Sequence, residues 1–396
     1  MTSTRGTRRA KSGAGGGRAA GEAPPTPACA ADASFGRFFL PGPSEVHPEV
    51  LSAMERPVMG HRGAAMRELM EGMQPGLRHL FGTRRPVYVS TSSATGLMEA
   101  AVTNLSRRRI LCLVCGAFSR RFHDIAEATG RPADRLEVTW GHPSLPERLA
   151  ERLAEHPGRW DLVTAVHSET STGVLNPIRG LAEVVGEFDD VLLAVDGVSS
   201  VAGVPVAFDE WGVDFMLTGS QKALALPPGL ALAVASERAL RRAEDVDDRG
   251  RYFDLLDFER RIADGQTPNT PAVHLLYALE RQLERIGEEG LEARIGRHAE
   301  MARRTHGRVE ELAASTGRPF GVLAPERYRS PTVTAVTLPP ALEGRQVVAE
   351  MEERGFTVGA GYGKMKDRSV RIGHMGDHTP AELERLLDEL ESVVTE

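Results

Sequence analysis

The sequence contains few cysteines, and their spacing argues against a disulfide framework. Among 396 residues there are three, Cys29, Cys112 and Cys115. Cys112 and Cys115 form a C-x-x-C motif inside the apolar run ILCLVCG. On a strand, residues three apart point to opposite faces, which suits neither a metal clamp nor a redox pair. We therefore expect buried core thiols and, because no disulfide is implied, a cytoplasmic protein.

Long hydrophobic runs and a surplus of positive charge are absent as well. No apolar stretch reaches the ~20 residues that a membrane-spanning helix needs, so we expect no membrane partner. The formal net charge is −7, whereas nucleic-acid binding requires a clustered basic face. The short basic runs SRRR (106–109) and SRR (119–121) are interpreted as solvated surface. We expect no nucleic-acid partner.

The first 34 residues hold almost no apolar mass. They are rich in Arg, Gly and Ala and have no hydrophobic run of the kind a secretory signal requires. We interpret residues 1–34 as a disordered tail. An organellar transit peptide is the alternative, because the segment carries five basic side chains against two acidic ones.

After this tail, short apolar runs alternate with helical periods. The runs are PVYVS (86–90), ILCLVCG (110–116), DLVTAVH (161–167), VLLAVDG (191–197), VDFMLTG (213–219) and LALAVA (230–235). Strands that are apolar throughout are typical of a parallel sheet with helices on both faces. Their alternation with helices predicts a doubly wound α/β domain with a mainly parallel sheet.

We predict two ordered domains. The large one spans residues 35–288 and includes an N-terminal arm, and a smaller α+β domain spans residues 289–396. The last helix is marked by Thr379 as N-cap, Pro380 in the first turn and Glu382 completing a capping box. Its apolar residues recur at helical spacing and predict a buried face of Leu383, Leu386, Leu387, Leu390 and Val394.

Polar residues stand where the predicted strands end. These segments are Ser93–Gly96, His167–Gly173, Asp196–Ser200 and Ser220–Lys222. Open parallel sheets bind ligands beyond the carboxyl ends of their strands. We therefore expect these four segments to converge on one cleft.

Asp196 and Lys222 carry the chemistry of that cleft. A carboxylate at a buried strand end is costly unless paired, so Asp196 is either a helix N-cap or the counter-ion of a buried cationic nitrogen such as a pyridinium. Lys222 alone also fits a surface lysine. About one βα unit after Asp196, it fits a lysine of lowered pKa that forms a Schiff base with an aldehyde. The two together are the layout of a pyridoxal-phosphate enzyme.

Two further features extend this layout. The segment STSSATG (90–96) supplies hydroxyls and small residues at a strand-to-helix turn, where free N–H groups and the helix dipole favour a phosphate. Arg371 lies between the apolar residues Val370 and Ile372. It is either a surface ion-pair residue or a partly buried group that holds a substrate carboxylate bidentately.

An ordered set of short motifs now becomes informative. The motifs are PGPS (41–44), GHR (60–62), MEAAVTN (98–104), TSTGVLNP (170–177), DGVSS (196–200), SQKAL (220–224), PPG (227–229) and RIGHMG (371–376). From about residue 38 to the C-terminus, the chain resembles the class V aminotransferases, within their alanine/serine–glyoxylate and archaeal-type aspartate branch. The resemblance implies fold type I, the cofactor pyridoxal 5′-phosphate and a homodimer with shared active sites.

The resemblance also implies roles for individual residues. Lys222 matches the Schiff-base lysine, and Asp196 the partner of the pyridine nitrogen. Arg371 matches the arginine that binds the substrate carboxylate, and Ser44 lies in a motif at the substrate site. The implied cofactor-binding residues are Ser93, Ala94, Thr95, Phe118, Thr170, Asp196, Val198, Gln221, Lys222 and Thr270.

Within that cofactor set, Val198 and Phe118 would cover the two faces of the ring, and Thr170 would face its 3-oxygen. The phosphate would meet the 93–95 segment and Gln221, and Thr270 would reach the phosphate of the neighbouring subunit. The chain departs from the family pattern in the phosphate loop, which reads TSSAT where SGSG is commoner. It also has Thr267 where tyrosine is frequent.

The resemblance implies transfer of an amino group from alanine, serine or aspartate to a 2-oxo acid such as glyoxylate or pyruvate, with ping-pong kinetics. Two alternatives stay open. His61 and Arg62 would suit the phosphate of phosphoserine, and a catalytically inactive scaffold would keep only the fold. A cysteine desulfurase is disfavoured because no cysteine follows Cys115. No metal is implied.

Overall fold

Helices and strands alternate along residues 35–395, the part of the chain that the computed structural model describes. The helices are α1 (Pro48–Ala53), α2 (Ala64–Phe81), α3 (Ala94–Leu105), α4 (Ala117–Ala128), α5 (Pro146–Glu155), α6 (Ile178–Gly186), α7 (Phe208–Trp211), α8 (Glu237–Glu244), α9 (Leu255–Ala263), α10 (Val273–Glu289), α11 (Leu291–Thr316), α12 (Gly344–Glu353) and α13 (Pro380–Thr395). The strands are β1 (Tyr88–Ser90), β2 (Ile110–Val114), β3 (Ala133–Glu137), β4 (Leu162–Val166), β5 (Ser168–Glu169), β6 (Val174–Leu175), β7 (Leu192–Asp196), β8 (Phe215–Gly219), β9 (Ala231–Ala235), β10 (Gly321–Val322), β11 (Val333–Thr337), β12 (Gly359–Ala360) and β13 (Ser369–Gly373). The tail predicted for residues 1–34 lies outside the described residues.

The main sheet has seven strands in the order β1-β9-β8-β7-β4-β2-β3. Strands β3, β2, β4, β7 and β8 run parallel, and β9 runs antiparallel to both β8 and β1. Every residue of β2, β4, β7 and β8 is buried, as expected for a sheet covered on both faces. The mainly parallel α/β fold is therefore confirmed.

Two local features differ from the sequence-based expectation. Strand β3 was not predicted, because its residues ADRLE are polar and only partly buried at the sheet edge. Helix α4 was expected from about Arg120 but begins at Ala117. The Ser119 hydroxyl accepts hydrogen bonds from the N–H groups of Cys115 and Gly116, both at 3.0 Å, and this contact fixes the earlier start.

A second core forms around a four-stranded sheet in the order β10-β11-β13-β12. Phe39, from the N-terminal arm, belongs to this core and donates its N–H to the Thr357 carbonyl at 2.8 Å. The capping box of α13 is confirmed, since Thr379 N–H donates to the Glu382 carboxylate at 2.7 Å. The boundary proposed between residues 288 and 289 stays a prediction, because residues 35–396 cluster as one unit.

Cys112 and Cys115 are buried and unpaired. Burial raises the pKa of each thiol to about 12, so both are unreactive core residues, as expected. Within the described part of the chain, no helix combines the length and the apolar character that crossing a membrane requires.

Candidate active site

A cavity opens beyond the carboxyl ends of the parallel strands, where the sequence predicted a cleft. Its empty volume is about 450 Å³, part of which is open to solvent. The cavity is lined by Ser93, Ala94, Thr95, Met98, Phe118, Arg121, Ser168, Thr170, Asp196, Val198, Ser199, Gln221 and Lys222. All four predicted segments contribute to this lining.

Lys222 follows β8 and is held from both ends. Its side chain is only 7 % exposed, and Nζ donates a hydrogen bond to the Pro41 carbonyl. The Ser44 hydroxyl donates to the Lys222 carbonyl at 2.7 Å, and the Ser44 N–H donates to the Gln221 carbonyl at 3.0 Å. Gly42 has φ +110°, and a Cβ there would collide with the Lys222 side chain. The PGPS motif thus packs directly on the lysine, with Ser44 behind it and outside the cavity lining.

The environment of Lys222 lowers its basicity. Burial, followed by the positive charge of Arg371, lowers the pKa of Lys222 to about 8. Asp196 is affected in the opposite direction. Burial, with a smaller contribution from the negative charge of Glu169, raises the pKa of Asp196 to about 6, although Val198 N–H donates to its carboxylate at 2.8 Å. Buried groups shifted toward neutrality in one cavity are typical of catalytic sites.

The carboxylate of Asp196 has no ionic partner within 4 Å among the described residues. It ends β7 and is 4 % exposed. A buried carboxylate is ordinarily paired with a cation or protonated. The environment of Asp196 therefore favours the binding of a cationic ligand group.

A candidate anion site in the cavity is formed at the start of α3. Ser93 is the N-cap of α3, and its side chain makes no capping hydrogen bond. The Gly96 N–H donates to the Ser93 carbonyl at 3.0 Å, whereas the N–H groups of Ala94 and Thr95 are available to a ligand. The side-chain oxygen of Gln221 is buried without a hydrogen-bond partner among the described residues. Arg121 Nη1 lies 3.4 Å from the Thr95 hydroxyl. The donors for an anion here are the N–H groups of Ala94 and Thr95 and the Arg121 guanidinium. The unpaired Gln221 oxygen is an acceptor, and only the nitrogen of that amide could donate.

Arg121 is a site residue that the sequence analysis missed. The run SRR was interpreted as solvated surface, and this is wrong for two of its three residues. Ser119 is buried, and Arg121 lines the cavity with its guanidinium 4.9 Å from the centre of the Phe118 ring. Only Arg120 is exposed, paired with Asp124 at 3.8 Å. Within the described part of the chain, Arg121 has no carboxylate partner.

Glu169 was also missed. Its buried carboxylate accepts hydrogen bonds from the N–H groups of Phe118 at 3.2 Å and Ser119 at 2.8 Å. It accepts a further bond from the Ser171 hydroxyl at 2.6 Å. Glu169 thereby ties the start of α4, which carries Phe118, to the turn after β5. The only sequence signal was an acidic residue inside the segment 167–173.

Arg371 and Thr170 meet at the rim of the cavity. Arg371 Nη1 donates to the Thr170 carbonyl at 3.3 Å, and its Nε donates to the Ala360 carbonyl at 2.9 Å. Burial lowers the pKa of Arg371. The Thr170 hydroxyl lies 2.6 Å from that of Ser199. Arg371 is thus partly buried beside the cavity. Of the two environments expected from the sequence, this is the partly buried one and not a surface ion pair.

Thr270 lies outside the cavity and is exposed. Nearby, Thr267 is buried and its hydroxyl donates to the Asn269 carbonyl at 2.7 Å. The Arg62 guanidinium donates to the Thr267 carbonyl at 2.8 Å, which anchors this loop. An exposed Thr270 is compatible with a contact to a second subunit, and that contact stays a prediction.

Comparison with known proteins identifies the family. Residues 38–375 match the model of the family Aminotransferase class-V. An uncharacterized aminotransferase of Methanocaldococcus jannaschii is 38 % identical over 86 % of this chain and 87 % of its own length. The serine–glyoxylate aminotransferase of Arabidopsis thaliana is 33 % identical, covering 86 % of this chain and 85 % of its own.

A solved structure agrees with these relatives. The alanine–glyoxylate aminotransferase of a Nostoc species superposes with a TM-score of 0.84 at 31 % identity, covering 90 % of this chain and 95 % of its own. With the family match and the relatives, this superposition shows that this chain belongs to the class V aminotransferase family.

Proposed function

We propose that this enzyme moves an amino group from a small amino acid, alanine, serine or aspartate, to a 2-oxo acid such as glyoxylate or pyruvate. The observation that carries the proposal is that Lys222 and Asp196 line the same cavity. Lys222 is a buried lysine of lowered pKa, and Asp196 is a buried aspartate without an ionic partner among the described residues. The family membership supports the reaction class. The names of the serine–glyoxylate and alanine–glyoxylate relatives support the choice of substrates.

We assign pyridoxal 5′-phosphate to the cavity because the unsatisfied groups match its chemistry. Asp196, with no ionic partner within 4 Å among the described residues, fits a protonated ring nitrogen. The N–H groups of Ala94 and Thr95 and the Arg121 guanidinium are donors that fit a phosphate. Gln221 also lines the cavity, and its side-chain nitrogen would add a donor. Phe118 and Val198 both line the cavity and supply apolar surface for a planar ring.

Each residue then has a defined task in catalysis. When bound, the cofactor supplies an electron sink that weakens the Cα–H bond of the substrate. Lys222 Nζ, neutral in a large fraction of molecules near pH 8, accepts and returns the Cα proton. Asp196 would hold a proton on the ring nitrogen of the bound cofactor, because its buried negative charge favours the cationic form of the ring. Arg371 binds the substrate carboxylate.

Donor and acceptor use the same site in turn, so we propose a double-displacement order in which the keto acid leaves before the second substrate binds. We further propose a homodimer, since the exposed Thr270 would need a neighbouring subunit to reach a phosphate. The unpaired thiols of Cys112 and Cys115 support placement in the cytoplasm.

The two alternatives are less well supported. A phosphoserine aminotransferase would use Arg62 for the substrate phosphate, but its guanidinium already bonds Gln266 at 2.9 Å and the Thr267 carbonyl at 2.8 Å. An inactive scaffold would have no need for a buried lysine of lowered pKa beside an unpaired aspartate. Both alternatives remain outcomes of the experiment.

The first experiment is an absorption spectrum of the purified protein, followed by titration with single amino acids. We expect a band near ~400 nm that moves toward ~330 nm with alanine, serine or aspartate and returns with glyoxylate or pyruvate. Lys222→Ala should lower the rate of this conversion by about 10⁴-fold or more. Lys366→Ala, at an exposed lysine, is the matched control and should leave the rate unchanged.

The other outcomes discriminate among the alternatives. Conversion only with phosphoserine would favour the phosphoserine alternative. No band, even after pyridoxal phosphate is added, would favour the scaffold. Retained conversion in Lys222→Ala would refute the assignment of the lysine.

A further inference from the structure

Tyr362 lies against Phe118, which lines the cavity, and has no part in the chemistry described so far. It lies between β12 and β13, and 41 % of its surface is exposed. Its ring stacks on that of Phe118, with centroids 5.4 Å apart and planes inclined by 25°. The Arg371 guanidinium lies 5.5 Å from the Tyr362 centroid. One ring therefore touches both the aromatic wall of the cavity and the arginine assigned to the substrate carboxylate.

The segment that carries Tyr362 is anchored on both sides. The Gly361 N–H donates to the Ser369 carbonyl at 2.8 Å. On the other side, Lys364 Nζ lies 5.0 Å from the Trp140 ring centre and 3.5 Å from the Glu137 carboxylate. These contacts anchor the segment that holds Tyr362 against Phe118 and Arg371.

The ring also fits a binding surface by its chemistry. A guanidinium packed on an aromatic face is attracted to the ring, and the contact keeps its outward N–H donors aligned. An aromatic ring exposed by two fifths loses its remaining water contact when a ligand covers it. The Tyr362 hydroxyl has no hydrogen-bond partner within the part of the chain that the structure describes.

We propose that the Tyr362 ring is the wall of the amino-donor subsite that limits the length of the donor side chain, so that α-amino acids with short side chains are preferred. The inference rests on the proposed transaminase function. A donor whose carboxylate is bound by Arg371 and whose Cα is within reach of Lys222 has the Tyr362 ring beside its carboxylate, because that ring packs against the Arg371 guanidinium. Atoms beyond Cβ then meet either this ring or the stacked Phe118. A longer side chain displaces the ring and disturbs Arg371.

The test uses Tyr362→Ala, Tyr362→Phe and the matched control Tyr328→Ala. Tyr328 also packs against an arginine, with Arg327 5.6 Å from its ring centre. Unlike Tyr362, it does not stack on Phe118 or pack against Arg371. The rate of the spectral half-reaction is measured for alanine, serine and the long donor methionine. In Tyr362→Ala we expect kcat/KM for alanine and serine to fall about tenfold, mainly through KM, while that for methionine rises.

The two other variants separate the ring from its hydroxyl and from general damage. Tyr362→Phe keeps the stacked ring and should stay within about twofold of wild type for every donor. Tyr328→Ala should do the same. An unchanged ratio of alanine to methionine in Tyr362→Ala would overturn the proposal, and so would an equal change in Tyr328→Ala.

A binding measurement keeps the inference testable if the proposed function fails. Calorimetry with the cofactor-loaded protein compares propionate with 4-methylpentanoate, two carboxylates that cannot react. Tyr362→Ala should change the ratio of their Kd values about tenfold in favour of the longer acid. Absence of turnover with this shift present would reject the transaminase function and retain the wall. Turnover in the wild type without this shift would reject the wall alone.

Discussion

Two buried carboxylates in this molecule experience opposite electrostatic environments. Asp377, near the second core, receives a hydrogen bond from Arg294 at 2.6 Å. Burial alone would raise its pKa, but the charge and hydrogen bond of Arg294 outweigh burial and lower it. Asp196, in the cavity, has no such cation, and its burial raises the pKa to about 6. The partner, and not the depth of burial, decides whether a charge is structural or reactive.

The two regions are connected through the chain beside the reactive lysine. Arg294 is 1 % exposed and donates a second hydrogen bond, at 2.9 Å, to the carbonyl of Ala223, the residue after Lys222. Gln282 also donates to Asp377, at 3.2 Å. An ion-paired cluster thus supports the backbone beside Lys222, whose own side chain has no ionic partner among the described residues. Rigidity in one region allows unsatisfied chemistry in the other.

The largest effect is expected when the Arg294–Asp377 ion pair is broken. Asp377→Asn removes the nearer carboxylate, at 2.6 Å, from the buried Arg294 and leaves only Glu289 at 3.2 Å. We expect the free energy of unfolding to fall by about 3 kcal/mol, the lower end of the cost of breaking a buried pair. Denaturant unfolding of the cofactor-free protein measures this. Asp388→Asn removes an exposed partner of Arg308 and should cost no more than about 1 kcal/mol. Equal effects of the two substitutions would contradict a structural role for the Asp377 pair.

The same substitution at Asp196 should have the opposite sign in the cofactor-free protein. Because its folded pKa of about 6 exceeds the unfolded value of 3.8, the folded state binds more protons between these values, and stability falls as pH rises through that window. Asn cannot ionise. Asp196→Asn should therefore be more stable than wild type above pH ~6, by up to about 3 kcal/mol, and equal to it below pH ~4.

Asp196→Asn should also slow the half-reaction by about 10²-fold or more, because a neutral amide cannot hold a proton on the ring nitrogen. A more stable and less active protein would place Asp196 among the residues that trade stability for function. Thermal unfolding across pH, paired with the spectral assay, measures both quantities. If Asp196→Asn is less stable than wild type at pH 8, the Asp196 carboxylate makes stabilising interactions in the cofactor-free protein. The contrast drawn here with the ion-paired Asp377 would then be wrong.

The cavity around Lys222 and Asp196 could be predicted from the sequence because the ends of the apolar runs mark the ends of the strands. Lys222 and Asp196 each follow an apolar run, and parallel strands bring such ends together. Arg121 was missed because its direction depends on where α4 begins. A helix from Ala117 puts Phe118 and Arg121 three residues apart on one face, whereas a start at Arg120 leaves that relation hidden.

The Arg294–Asp377 ion pair could not be predicted from the sequence for a different reason. Arg294 and Asp377 are 83 residues apart, and neither stands in a local pattern that indicates burial. The same is true of the stacking of Tyr362 on Phe118. Long-range pairing between residues on separate elements depends on how the two cores are built, which single-sequence periodicity does not encode.

The smallest effect tests what keeps Lys222 reactive. Its pKa of about 8 predicts that the rate of pyridoxal-phosphate capture by the cofactor-free protein rises with pH and levels off above about 8, rather than near the ordinary 10.5. At pH 7 the rate should be about tenfold below its plateau. Capture by a free lysine derivative, measured under the same conditions, corrects for the titration of the aldehyde reagent.

Substitution of Arg371 then separates the two causes of this shift. Burial contributes most and the positive charge of Arg371 next, so Arg371→Met should move the midpoint upward by a fraction of a unit, while Arg371→Lys, which keeps the charge, should leave it unchanged. A wild-type midpoint near 10.5 would mean that water reaches the amine freely. If the midpoint stays near 8 in both Arg371 variants, burial alone lowers the pKa of Lys222. Asp196 is the parallel case, because burial without an ion-pair partner raises its pKa.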